Sequence, residues 1–208
     1  MILMYKQFFA GSIVLTVISL IFALSSFKKS LNFTIPTPFY KKPFEFTVGF
    51  RNTFFIFPVA YVLTVIAVSV DNFNLGIFSL LLIFLAALSF YTQPENEYFV
   101  WSFALSPGKF ILGKAQTALL FTSVLSLPVI LTLTFFYLEN IEAIAAFYFT
   151  GCLFLITLIS AKYAAYPDEM NLPEGIIIAV SISFPPLLLV SAPYFYFKAT
   201  SKLQRYLV

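Results

Sequence analysis

One stretch of the chain copies the spacing of a phosphate-gripping loop: Gly108-Lys-Phe-Ile-Leu-Gly113-Lys114, the pattern G-x-x-x-x-G-K. Such a loop works because backbone N–H groups and the lysine surround phosphate oxygens while a following Ser or Thr holds magnesium. Here position 115 is alanine, no strand pattern precedes the run, and the residues between the glycines are mostly apolar. The stretch is therefore not a nucleotide site. Lys109 and Lys114 read instead as anchors that fix the start of a membrane helix at the cytoplasmic surface. Four other carboxylates, Glu95, Glu97, Asp168 and Glu169, stand in polar connections, the only places from which a lipid-modifying enzyme could draw acid or base. The sequence has no histidine, the commonest general base and metal ligand. Its one cysteine, Cys152, lies within an apolar run and reads as a structural thiol. Serines and threonines are plentiful but lack an activating base, so they are expected to bond within and between helices. No catalytic residue, metal or cofactor is expected, and no enzymatic activity.

The elements that must position these residues follow from where charge is absent. Twelve basic and nine acidic residues are gathered into clusters, and hydrophobic residues make up 61% of the 208. Between the clusters lie six charge-free gaps, 7–27, 52–70, 72–94, 115–138, 143–161 and 175–197, read as spans at about 7–27, 52–70, 74–93, 114–138, 143–162 and 175–197. At ~1.5 Å per helical residue, about 20 residues cover the ~30 Å hydrocarbon core of a bilayer. The expected fold is an all-α polytopic membrane protein of about six transmembrane helices, a single transmembrane domain over residues 1–208. No span is expected to carry an ionisable group other than tyrosine, which argues against ion-coupled carriers and intramembrane hydrolases. The net charge of +3 is modest and dispersed, so no nucleic acid is expected as a partner.

The connections differ in kind. Lys28 to Arg51 is the longest, with Pro36, Pro38 and Pro43 predicting extended or turn-like chain over 32–44. Its interleaved aromatic and basic residues suit the headgroup zone. Asn32-Phe33-Thr34 has the form of a glycosylation sequon, but the charge bias places this connection in the cytoplasm. Asp71 alone separates the second and third segments, which predicts an antiparallel hairpin; Glu139, Asn140 and Glu142 predict another between the fourth and fifth. Prolines at 58, 128, 185, 186 and 193 fall in or near spans, and the sixth segment is expected to bend or break. Counting lysine and arginine by loop puts the long connections in the cytoplasm and both ends of the chain outside.

The stretch Pro94-Glu-Asn-Glu-Tyr-Phe-Val-Trp-Ser-Phe-Ala-Leu-Ser-Pro-Gly-Lys-Phe-Ile-Leu-Gly-Lys114 remains. Acidic residues close a span, an aromatic turn follows, then Leu105-Ser106-Pro107, then a lysine opens the next span. This resembles the cytoplasmic loop of the type-2 ABC exporter permease family, and Pro193-Tyr-Phe-Tyr-Phe-Lys198 with its basic tail resembles the end of such permeases. The resemblance implies a membrane subunit, set in lipid in a bacterial or archaeal cytoplasmic membrane and assembled as a homo- or heterodimer. A separate ATP-binding cassette subunit would touch Glu95, Glu97, Trp101, Leu105, Ser106, Pro107, Lys109 and Lys114. Pro128, Pro185 and Pro186 would serve as pivots. The family usually has two spans before this loop and four after, whereas the segments counted here are three and three. The other expectation is a non-catalytic accessory or scaffolding membrane protein, supported by small faces at Ala86-Ala87, Ala145-Ala146 and Ala164-Ala165 that allow close helix approach.

Overall fold

A computed structural model describes residues 39, 44–103 and 105–207. The described residues all belong to one compact unit. The expected span at 7–27 and the sequon at Asn32 lie outside them. Every regular element among the described residues is helical: α1 Phe44–Thr53, α2 Ile56–Ser69, α3 Phe73–Ser89, α4 Glu97–Ser102, α5 Pro107–Phe136, α6 Ile141–Ala165, α7 Leu172–Ser183 and α8 Leu188–Leu203. Short 3₁₀ turns at Leu138–Asn140 and Pro185–Leu187 join α5 to α6 and α7 to α8.

Two of these helices are long and apolar enough to cross a membrane: α5, with 30 residues, and α6 with its leading 3₁₀ turn, 28 residues over Leu138–Ala165. The pair α1 and α2, bent by 60° at Phe54 and Phe55, makes a third if it is one span. The expected crossing at 52–70 is thus a 14-residue helix continuing from a tilted one, and α3 is 17 residues long. Among the described residues, two helices, or three with the bent pair, are thus of crossing length and composition.

Both predicted hairpins are present. The α2–α3 turn is closed by the backbone: Asn72 N–H donates to Ala67 C=O at 2.8 Å and Asp71 N–H to Val68 C=O at 3.3 Å, the paired bonds of a Schellman cap. Asp71 takes the left-handed conformation this cap needs, with φ 51°. Asn72 then caps the next helix, its side chain accepting from Leu75 N–H at 3.1 Å. Inside the hairpin the Thr64 and Ser79 hydroxyls pair at 2.7 Å. In the α5–α6 hairpin, Ser123 and Tyr148 pair at 2.6 Å. Tyr137, in the second turn, donates its hydroxyl to Ala67 C=O at 3.0 Å and packs edge-on against Phe73 at 5.5 Å. Both turns therefore lie at one end of the bundle.

Close approach needs small residues. A Cβ on Gly151 of α6 would sit 2.6 Å from the Phe84 ring of α3, so the absent side chain is what lets those helices meet. Of the small faces, Ala86-Ala87 and Ala164-Ala165 are buried, while Ala145 and Ala146 are not. Outward-facing residues of α2 and α5 are largely apolar, Val62, Val65, Leu120, Val124, Leu131 and Phe135 among them.

The sixth segment is broken at its proline pair, so 175–197 is not one continuous helix. Helix α7 ends at Ser183, Phe184 leaves helical geometry (φ −133°, ψ 80°), and Pro185-Pro186 start a new turn. The chain then doubles back. Glu174 near the start of α7 and Lys198 near the end of α8 form a 2.7 Å ion pair. One straight helix would hold those residues about 36 Å apart. The Tyr206 ring, beyond α8, packs on Tyr166, just after α6, at 5.2 Å. The basic tail therefore lies at the end where α6 finishes, not at the end of the hairpin turns. That moves the three tail cations to the side of the 92–106 connection and brings the chain closer to the rule by which basic residues gather on one face.

Candidate functional site: a buried ion-pair cluster beside an exposed aromatic helix

Opposite the hairpin turns, four charged side chains converge from four places in the chain. Glu45 comes from the first turn of α1, Glu95 from the α3–α4 connection, Lys114 from α5 and Lys162 from α6. Lys114 Nζ donates to Glu45 Oε2 at 2.8 Å and also to Glu95 Oε1. Lys162 Nζ donates to Glu45 Oε1, and the Tyr163 hydroxyl donates to Glu95 Oε2 at 2.8 Å. All four carboxylate oxygens are thereby occupied, and the cluster's two cations balance its two anions. The side chains of Lys114 and Lys162 are only 3% and 2% exposed. The rings of Phe103 and Phe110 stand 5.4 and 5.5 Å from Lys114 Nζ. About 35 Å of helix separates Lys114 from Tyr137, so cluster and turns stand roughly a bilayer apart.

Local sequence explains each placement. Pro107 at the first helical position needs no donor, so α5 starts there and not at 114. Starting seven residues earlier carries Lys114 two turns into the helix, where α1 and the α3–α4 connection cover it. This corrects the reading of Lys114 as a surface anchor; Lys109, by contrast, is exposed. Lys162 corrects a second expectation. It lies inside α6, which runs on through Tyr163, Ala164 and Ala165, so an ionisable side chain other than tyrosine is buried in a helix of spanning length. Arg51, expected in a loop, lies in the last turn of α1. Gly49 admits the Phe90 ring, whose Cδ1 would lie 2.3 Å from a Cβ there.

Burial alone would push the Glu95 carboxyl up, but the charge and hydrogen bond of Lys114, the charge of Lys162 and the Tyr163 hydroxyl outweigh it and hold it below its ordinary value of 4.5. A cleft of ≈ 500 Å³ opens beside the cluster, lined by Glu45, Glu95 and Lys114 with the amides Asn52, Gln93 and Asn96.

The residues singled out from the sequence fall into two groups. Glu95 and Lys114 turn inward as partners. Glu97, Trp101, Leu105, Ser106 and Lys109 are exposed around α4 and the start of α5, and Pro107 begins that helix. Helix α4 is capped by Asn96, whose side chain accepts from Tyr98 N–H at 3.1 Å. It buries Val100 and presents Tyr98 and Trp101, 68% and 64% exposed, outward. Pro128 sits within α5, which stays one continuous helix through it, whereas Pro185 and Pro186 mark the break. Glu45 and Lys162 had not been singled out. Their signals were an acid among lysines and a lysine with apolar residues on both sides. Among the described residues no group of His, Cys, Asp or Glu could hold a metal ion. No family model, no curated protein and no solved structure matches the chain.

Proposed function

We propose that this chain is the membrane-spanning permease subunit of an ABC-type exporter in a bacterial or archaeal cytoplasmic membrane. It would perform no chemistry itself and would depend on a separate ATP-binding cassette subunit. The observation that supports this reading most is the pairing of α4 with the ion cluster. A short helix offers exposed aromatics to a partner, while Glu95, two residues before it, is tied to α5 by Lys114 and to α6 by Tyr163. A force on α4 would reach two long helices through charged contacts rather than through slack chain. Aromatic side chains in an exposed patch are the usual anchors of a protein interface.

The test is recovery from detergent. The tagged chain should carry an ATPase subunit with it, and Trp101→Ala should reduce that recovery at least tenfold without changing the elution of the chain itself. Reconstituted with its partner, the complex should show ATP-stimulated transport in liposomes. Recovery without any ATPase, together with no ATP-stimulated transport, overturns the proposal in favour of an accessory or scaffolding role.

A further inference from the structure

The last turns of α8 hold a second cavity of ≈ 270 Å³, lined by Lys198, Ser201, Lys202 and Arg205. Its lining offers three cations, one hydroxyl and no carboxylate. Lys198 is shared with Glu174 at 2.7 Å. Lys202 and Arg205 meet no carboxylate within ion-pair distance among the described residues, so they supply the cavity's free charge. Cations near a helix C-terminus also complement its dipole, but that effect needs no shared cavity and no particular face. Here the face is specific. Val190, Tyr194 and Phe197 follow the three- and four-residue steps of one helix side, and the next step is Ser201. These three apolar residues are 67%, 54% and 69% exposed. One strip of α8 thus passes from outward-facing apolar side chains directly into a basic pocket.

We propose that this strip binds an anionic phospholipid, with acyl chains along Val190, Tyr194 and Phe197 and the headgroup phosphate among Lys198, Ser201, Lys202 and Arg205. The order of the two surfaces along the helix matches the order of tail and phosphate in a lipid. The charge selects the class. A zwitterionic headgroup brings its own ammonium into a pocket already cationic, whereas a glycerol headgroup leaves the phosphate's negative charge unopposed. Ser201 adds a hydroxyl donor that a phosphate oxygen accepts. The site depends on α8 ending at the lipid boundary, not on the identity of any protein partner.

The full chain, purified in a mild nonionic detergent, is titrated with dioleoylphosphatidylglycerol, dioleoylphosphatidylcholine or sodium phosphate, and bound lipid is counted by native mass spectrometry. Phosphatidylglycerol should be retained at about 25-fold lower concentration than phosphatidylcholine, since each of the two free basic residues at a lipid surface is worth roughly a fivefold change in binding. K202Q/R205Q should abolish that preference, and K202R/R205K should keep it. Glu139→Gln, a charge change at the opposite end of the bundle, should leave it unchanged. Equal retention of the two lipids overturns the proposal, as does a preference that survives K202Q/R205Q. If millimolar sodium phosphate displaces the phosphatidylglycerol or raises the thermal midpoint as much as the lipid does, the pocket takes free phosphate and the lipid assignment fails.

Discussion

The two ends of the bundle are closed by opposite means. At the hairpin end the chain turns within a few residues, and backbone groups bond one another through the Schellman cap, the Asn72 cap and the Tyr137 hydroxyl. The carboxylates there, Asp71, Glu139 and Glu142, are exposed and carry no structural duty. At the other end no short turn links α1, the α3–α4 connection, α5 and α6, so side chains must do so. Glu45 reaches Lys114 across 69 residues of sequence and Lys162 across 117. Local closure is cheap and rigid. Closure by long-range ion pairs depends on every partner, and it sits where α4 is exposed. The comparison teaches that, among the described residues, charge is structural at one end and not at the other.

Removing a partner from the charged end should have the largest effect. Lys114→Met leaves Glu95 with no cation and Glu45 with Lys162 alone, and breaking a buried pair this way typically costs ~3–5 kcal/mol. Thermal unfolding followed by size-exclusion in detergent should show a fall of many degrees; a midpoint within error of wild type would mean the cluster is not what joins these helices. Glu95→Gln should cost less, about 1–3 kcal/mol, because Lys114 keeps its bond to Glu45 and the amide oxygen can still accept from it, although Glu45 then faces two cations.

Acid offers a second way to separate the two ends. The Glu95 carboxyl lies below its ordinary 4.5 when folded, so its stabilisation is fully present above that value and is lost as pH falls through the folded one. The thermal midpoint should therefore be nearly flat from about pH 8 to 5 and drop below ~4.5, and the drop should be shallower in Glu95→Gln. Equal acid sensitivity in both proteins would assign the drop to other carboxylates.

At the hairpin end the expected effects are small. Tyr137→Phe deletes one hydroxyl bond to Ala67 and should cost about 0.5–1.5 kcal/mol, read by the same unfolding assay. Asp71→Gly should go the other way. Glycine adopts the φ of 51° without a Cβ penalty, so a gain of up to ~1 kcal/mol is expected. A loss there would mean that the aspartate side chain contributes something the cap geometry does not.

Much of the fold was legible because depth and breaks are local properties of sequence. Asp71 between two apolar runs gave a hairpin, and Pro185-Pro186 gave a break. The direction of the chain after that break was not legible. It depends on Glu174 meeting Lys198, and a proline pair says only that a helix stops. The cluster was hidden for the same reason. Glu95, Lys114 and Lys162 stand at the edges of apolar runs, where a lysine or glutamate reads as an interfacial anchor, and Glu45 stands among the lysines of a connection. Hydropathy gives the level of a charge along the bilayer normal but not whether it faces outward. Lys162 carried the one usable hint, since the apolar run resumes after it at Tyr163, Ala164 and Ala165.

The doubling-back of α7 and α8 has a practical consequence. Because that pair returns to the side it leaves, a fluorescent reporter fused after Leu207 shares its compartment with a protease site inserted among residues 92–96. A fusion at the tail therefore reads out the sidedness of α4 without touching α4, and the two labels must agree in every cell that makes the protein.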